Sequence, residues 1–122
     1  ILCGLDISHY AITKHNKKIN KNLCIGNANK LPYPDNFFDL IVSINSLHNI
    51  LTINELEQAF KEINRVSKKN IFISLGAYTN KKQQKILDNW AVDATTYMSV
   101  NSWKKFFKYV NYKGDYYWFI PK

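Results

Sequence analysis

The chain is expected to fold as an α/β layered sheet, and three observations carry that expectation. Short apolar runs (Ile1 to Ile7, Leu23 to Ile25, Phe37 to Ile44, Asn70 to Leu75) alternate with stretches whose apolar residues recur at intervals of three and four. Phe37 to Ile44 is apolar on both sides apart from Asp39 and Ser43, as in a strand covered on both faces of a parallel sheet. Finally, two of these runs end in small polar groups, Gly26-Asn27-Ala28-Asn29 and Asn45-Ser46, which a parallel sheet would bring to one side. That side is where open α/β sheets bind ligands.

The elements follow in order. Ile1 to Ile7 reads as a strand, and Ser8 can cap a helix in which Ala11, Ile12, His15 and Ile19 keep helical spacing. Leu23 to Ile25 is a second buried strand. Pro32 and Pro34 exclude a regular helix or central strand, so the connection to Phe37 is a loop. Thr52 and Glu55 match a capping box, and Ile53, Leu56, Phe60, Ile63 and Val66 form one apolar stripe behind it. Ser67 to Asn70 should end that helix, with a strand to Leu75 and a turn at Gly76. Thr79 or Asn80 can cap a helix from Lys81 to Trp90, burying Ile86, Leu87 and Trp90. Trp103, Phe106, Phe107 and Val110 mark a last helix, Lys113-Gly114-Asp115 a turn and Tyr116 to Ile120 a strand.

With 122 residues and no internal repeat or linker, the chain is one domain without an internal boundary. No apolar run reaches the roughly 18 residues of a membrane span. Net charge is +8, yet of 17 basic residues only Arg65 is an arginine. Scattered lysines among asparagines read as solvated faces rather than a nucleic-acid surface, which favours arginine forks. Cys3 and Cys24 lack metal-ligand spacing, so buried thiols in a reducing cytoplasm are expected and no metal site.

Three blocks, Gly4-Leu5-Asp6-Ile7-Ser8, Asn27-Ala28 with Leu31-Pro32-Tyr33-Pro34-Asp35-Asn36-Phe37-Phe38-Asp39, and Glu62-Ile63-Asn64-Arg65-Val66-Ser67-Lys68, together resemble the class I S-adenosylmethionine-dependent methyltransferases. The branch is the one that includes quinone-biosynthesis C-methyltransferases and many small-molecule enzymes. The resemblance covers roughly Ile1 to Leu75. It implies a Rossmann-like sheet with helices on both faces, S-adenosyl-L-methionine as cofactor and a small-molecule acceptor, with nucleic acid an unexpected substrate. It places Asp6, with Ile7 beside it, at the ribose, where an ionised carboxylate can accept from two hydroxyls. Asn27 and Ala28 would border adenine, and Ile44, Asn45 and Ser46 the methionine end. Leu47, His48 and Asn49 would approach the methyl group, with His48 the candidate general base. A dedicated base is optional, because alignment alone supplies about 7–11 kcal/mol.

The glycine-rich turn after the family's first strand is absent from these residues and is expected upstream of Ile1, which would make this a partial domain. Without that strand, two unpaired edges should face each other across a gap. Tyr97, Trp103, Tyr112, Tyr116, Tyr117 and Trp118 could wall an acceptor pocket or simply pack the core. The alternative to an enzyme is a non-catalytic methyltransferase-like partner or scaffold module.

Overall fold

The computed structural model describes residues 2–13, 22–90 and 96–122. The first strand, β1 (Gly4–Asp6), leads to α1 (His9–Thr13), where Ser8 Oγ accepts the Ala11 N–H. The remainder of that expected helix, with His15 and Ile19, lies outside the described residues. Next comes β2 (Leu23–Ile25), parallel to β1 with Asp6 opposite Ile25.

After the proline loop, β3 (Phe38–Ile44) pairs in parallel with β4 (Ser67–Tyr78), and β5 (Met98–Ser99) and β6 (Asp115–Phe119) also pair in parallel with β4. Among the described residues the strands make two separate sheets, β1–β2 and β3–β4 with β5 and β6. Among the described residues the edges of β1 and β3 away from these partners are unpaired.

Helix α2 (Ile53–Val66) begins where its sequence says. Thr52 Oγ1 accepts the Glu55 N–H, and the buried stripe is Leu56, Ala59, Phe60, Ile63 and Val66. Its C-terminus, however, passes straight into β4 with no loop, so the strand starts at Ser67 rather than Asn70 and continues past Leu75 to Tyr78. Gly76 is not a turn: it lies within β4, and a Cβ there would run into the Tyr97 ring. Asn80 caps α3 (Lys81–Trp90) by accepting the Gln83 N–H, while Gln83 Oε1 accepts from both the Thr79 amide and hydroxyl. Leu87 is buried, but Trp90, expected inside, is 59% exposed at the helix end.

The core joins α2, β4 and α4 (Val100–Tyr109) through Phe60, Ile73, Leu75, Trp103, Phe106 and Phe107. Trp103 is fully buried with its indole N–H on the Gly76 carbonyl, and the Tyr112 hydroxyl donates to the Asp115 carbonyl at 2.6 Å. Those two aromatics therefore pack the fold rather than wall a pocket, while Tyr116 and Tyr117 face solvent. β3 departs from expectation in the opposite sense. Leu40, Val42 and Ile44 are 58%, 56% and 55% exposed, because alternate side chains share a face and among the described residues nothing covers that one. No helix among the described residues is long and apolar enough to cross a membrane.

Candidate cofactor site

A cleft of about 380 Å³ opens where β1, β2 and β3 end. Leu5, Asp6 and Ile7 enter it from β1, Gly26, Asn27 and Ala28 from the end of β2, and Ser46, Leu47 and Asn49 from the turn after β3. Ile50, Leu51 and Glu55 complete it at the start of α2. The volume and the mixture of apolar walls with a few polar groups are those of a small-molecule site.

Each polar residue is held by short local bonds. Asp6 is exposed, and of its two carboxylate oxygens Oδ1 accepts the Ser8 N–H at 2.7 Å. Gly26 N–H donates to the Asp6 carbonyl, which ties the ends of β1 and β2 together. Asn27 Oδ1 accepts the Asn29 N–H at 3.0 Å, an Asx turn that holds the backbone at Ala28 against the cleft.

Asn45 and Ile44 stand behind the cleft rather than in its lining. Asn45 adopts φ 48°, a left-handed conformation that asparagine tolerates. Its amide donates to the Ser74 carbonyl and Oγ, and Ser74 Oγ donates back to Asn45 Oδ1 at 3.0 Å. The strained residue is thus locked to β4, and it aims Ser46 at the cleft. His48 is also out of the lining: its imidazole is buried and bonded to Gly76. Burial lowers its pKa from the ordinary histidine value.

The wall beyond Ala28 depends on Arg65. Its Nη1 donates to the Tyr33 carbonyl and Asp35 Oδ1, both at 2.8 Å, and Nη2 to the Leu31 carbonyl and Glu62 Oε2. Glu62 Oε2 in turn accepts the Leu31 N–H at 2.8 Å. The guanidinium beside Glu62 lowers that carboxyl's pKa. One fork therefore holds the proline loop onto α2, a planar geometry that lysine could not reproduce. Sequence reasoning recognised this block without its role, since the loop partners lie 30 to 34 positions away. It also missed Glu55 as a cleft residue. The available signal was that a helix starting directly after a ligand-side turn puts its first turn at the site.

Polar turns and one solvent-facing carboxylate are thus gathered at the carboxyl ends of parallel strands, where open α/β folds bind their ligands. A family model described as "Methyltransferase domain" matches residues 1–75, more than half of the chain, and the chain belongs to that family. It is 30% identical over 96 residues to the tRNA (carboxymethyluridine(34)-5-O)-methyltransferase of Arabidopsis thaliana, which spans 78% of this chain but 24% of that protein. Among solved structures, the YcgJ protein from Bacillus subtilis superposes with a TM-score of 0.68 at 19% identity, covering 88% of this chain and 50% of that one. A chain from the complex between the Haloferax volcanii Trm112 methyltransferase activator and its candidate methyltransferase partner gives 0.65 at 16% identity, covering 88% and 48%. The chain thus spans about half the length of these structures and 24% of the curated relative.

Proposed function

We propose that this chain forms the cofactor-binding part of a methyltransferase that takes its methyl group from S-adenosylmethionine and passes it to a small-molecule acceptor. The observation that carries the reading is the charge of the cleft. Among the described residues Asp6 and Glu55 line it and no lysine or arginine does, in a chain of net charge +8. Such a lining repels the phosphates of ATP or a dinucleotide and suits a nucleoside whose other end is cationic.

In this reading Asp6 accepts from the ribose hydroxyls, with Ile7 excluding water beside it. Asn27 and Ala28 border the adenine, and Ser46, steadied through Asn45 and Ile44, meets the methionine end. When bound, the cofactor supplies an electrophilic methyl on a sulfonium, so the chain's own contribution is alignment and a dry wall. His48 is not given the base's role, because its Nδ1 is already occupied by a backbone donor. Titration calorimetry of the complete protein tests the proposal: S-adenosylmethionine should bind, and ATP and NAD should not. Absence of S-adenosylmethionine binding would overturn it, and binding without any transfer would mark a non-catalytic module.

One observation favours RNA as the acceptor instead: the likeness to a tRNA methyltransferase, alongside the basic net charge. Incubation of the complete protein with methyl-labelled cofactor and either bulk tRNA or a cell metabolite extract separates the two. Ribonuclease-sensitive label would replace the small-molecule acceptor.

A further inference from the structure

Leu47 and Asn49 line the cleft, whereas His48 between them is 6% exposed and points away from it into the body of the protein. There Nδ1 accepts the Gly76 N–H at 3.0 Å, across 28 positions of sequence. A ring nitrogen that accepts carries no proton, so this imidazole is neutral with its hydrogen on Nε2. The His48 carbonyl accepts from Thr96 twice, from the amide at 3.2 Å and from the hydroxyl at 3.0 Å. Tyr97 then lies with its ring centroid 4.6 Å from the imidazole.

Gly76 is itself a fixed point. Its carbonyl accepts the Trp103 indole N–H at 3.1 Å, and the Tyr97 ring occupies the space where a Cβ would stand. Through one side chain and one carbonyl, the turn that walls the cleft is therefore fastened to both the central strand and the 96–97 segment. Two further bonds are local, from the Asn49 N–H to the Ser46 carbonyl and from the Ile50 N–H to the Leu47 carbonyl. Together with the buried Leu47 side chain, the His48 bonds to β4 and to Thr96 tie the turn to the body of the protein.

We infer that His48 is a positioning residue: through Gly76 and Thr96 it fixes the Leu47–Asn49 turn, so that the methionine-side wall of the cleft is formed before the cofactor arrives. The inference rests on the cofactor reading above. Its consequence is pre-organisation, since a wall already in place is not ordered at the moment of binding.

The test uses the complete protein with His48→Ala, His48→Asn and His48→Gln. It measures S-adenosylmethionine affinity by calorimetry and amide hydrogen exchange over residues 46–50 without cofactor. Asn places an acceptor oxygen where Nδ1 stands, whereas Gln carries its oxygen one bond further out. His48→Ala should weaken binding by about tenfold and speed exchange in the turn, and His48→Asn should restore affinity to within about threefold. Unchanged affinity and unchanged exchange in His48→Ala would overturn the inference. If the alanine variant does not fold, the amide pair decides: tighter binding by Asn than by Gln upholds it, and equal binding overturns it. A wild-type protein that binds no S-adenosylmethionine would remove the cofactor reading alone, and the exchange rates would still judge whether His48 holds the turn.

Discussion

The two ends of the central strands carry opposite chemistry. Among the described residues, the cleft at their carboxyl ends is lined by Asp6 and Glu55 with no basic residue, and a hollow of about 270 Å³ at the opposite end by Lys68, Lys69 and Lys113 with no acidic one. Their construction differs as well. Turns and strand ends build the cleft, whereas the basic hollow sits on the loopless junction of α2 and β4. There Asn64 Nδ2 donates to the Val110 carbonyl, and the Tyr112 hydroxyl is bonded beneath Gly114. The contrast shows where this fold has latitude. Loops at the carboxyl ends can vary to suit a ligand, while the other end is pinned by the core and presents only long, solvated side chains.

The sharpest way to break this contrast is Asp6→Ala. It should cost S-adenosylmethionine affinity tenfold or more, the equivalent of about 1.5–3 kcal/mol of charged hydrogen bonding. Calorimetry on the complete protein reads it directly, and an unchanged dissociation constant would remove Asp6 from the ribose. A second expectation concerns acid. His48 has its pKa lowered by burial, so between its folded value and the ordinary value near 6.5 the unfolded chain binds more protons than the folded one. Stability is therefore full above that pH and declines as pH falls through it. Urea midpoints at pH 7.5 and 5.5 should show the decline, and His48→Asn should flatten it.

Thr52→Ala removes the N-cap of α2 beside the cleft and should lower stability by about 1 kcal/mol, measured by urea unfolding. The smallest effect is expected from replacing Lys68, Lys69 and Lys113 together by Gln. β4 separates the hollow from the cleft by a distance on the order of 20 Å, and the screening length is about 8 Å at physiological salt. Cofactor affinity should consequently stay within about twofold by the same calorimetry. A larger change would mean that the two ends are coupled.

Features encoded locally were legible in the sequence. Thr52 as a cap, the α2 stripe, the Asn80 start of α3 and the Trp103-to-Val110 spacing each depend on residues a few positions apart, and the structure has them where the pattern puts them. Polar turns at Asn27 and Ser46 were legible for the same reason. What could not be read depends on contacts made after folding. Gly76 reads as a turn residue until Tyr97 is seen against it, and Arg65 reads as part of a family block without a role until the loop lies beneath it. Leu40, Val42 and Ile44 read as buried on both sides because hydropathy records what a strand is suited to face, not what stands opposite it. Histidine is ambiguous in the same way: His48 offers the same letters whether its ring opens to a ligand or to Gly76.

The Arg65 fork also bears on the order in which the molecule assembles. Its partners at Leu31 and Tyr33 lie across 34 and 32 positions of chain, so their capture closes a loop of more than 30 residues. Loop closure is repaid only if the acceptor surface already exists, and here that surface is the last turn of α2, rigid because Val66 and Ile63 are buried against β4. Local contacts are therefore expected to form first, in the helix and central strand, with the proline loop docking onto Arg65 afterwards. The wall of the cleft beyond Ala28 is thus expected to form late, and any partner that holds the proline loop in place should speed the last step of folding rather than the first.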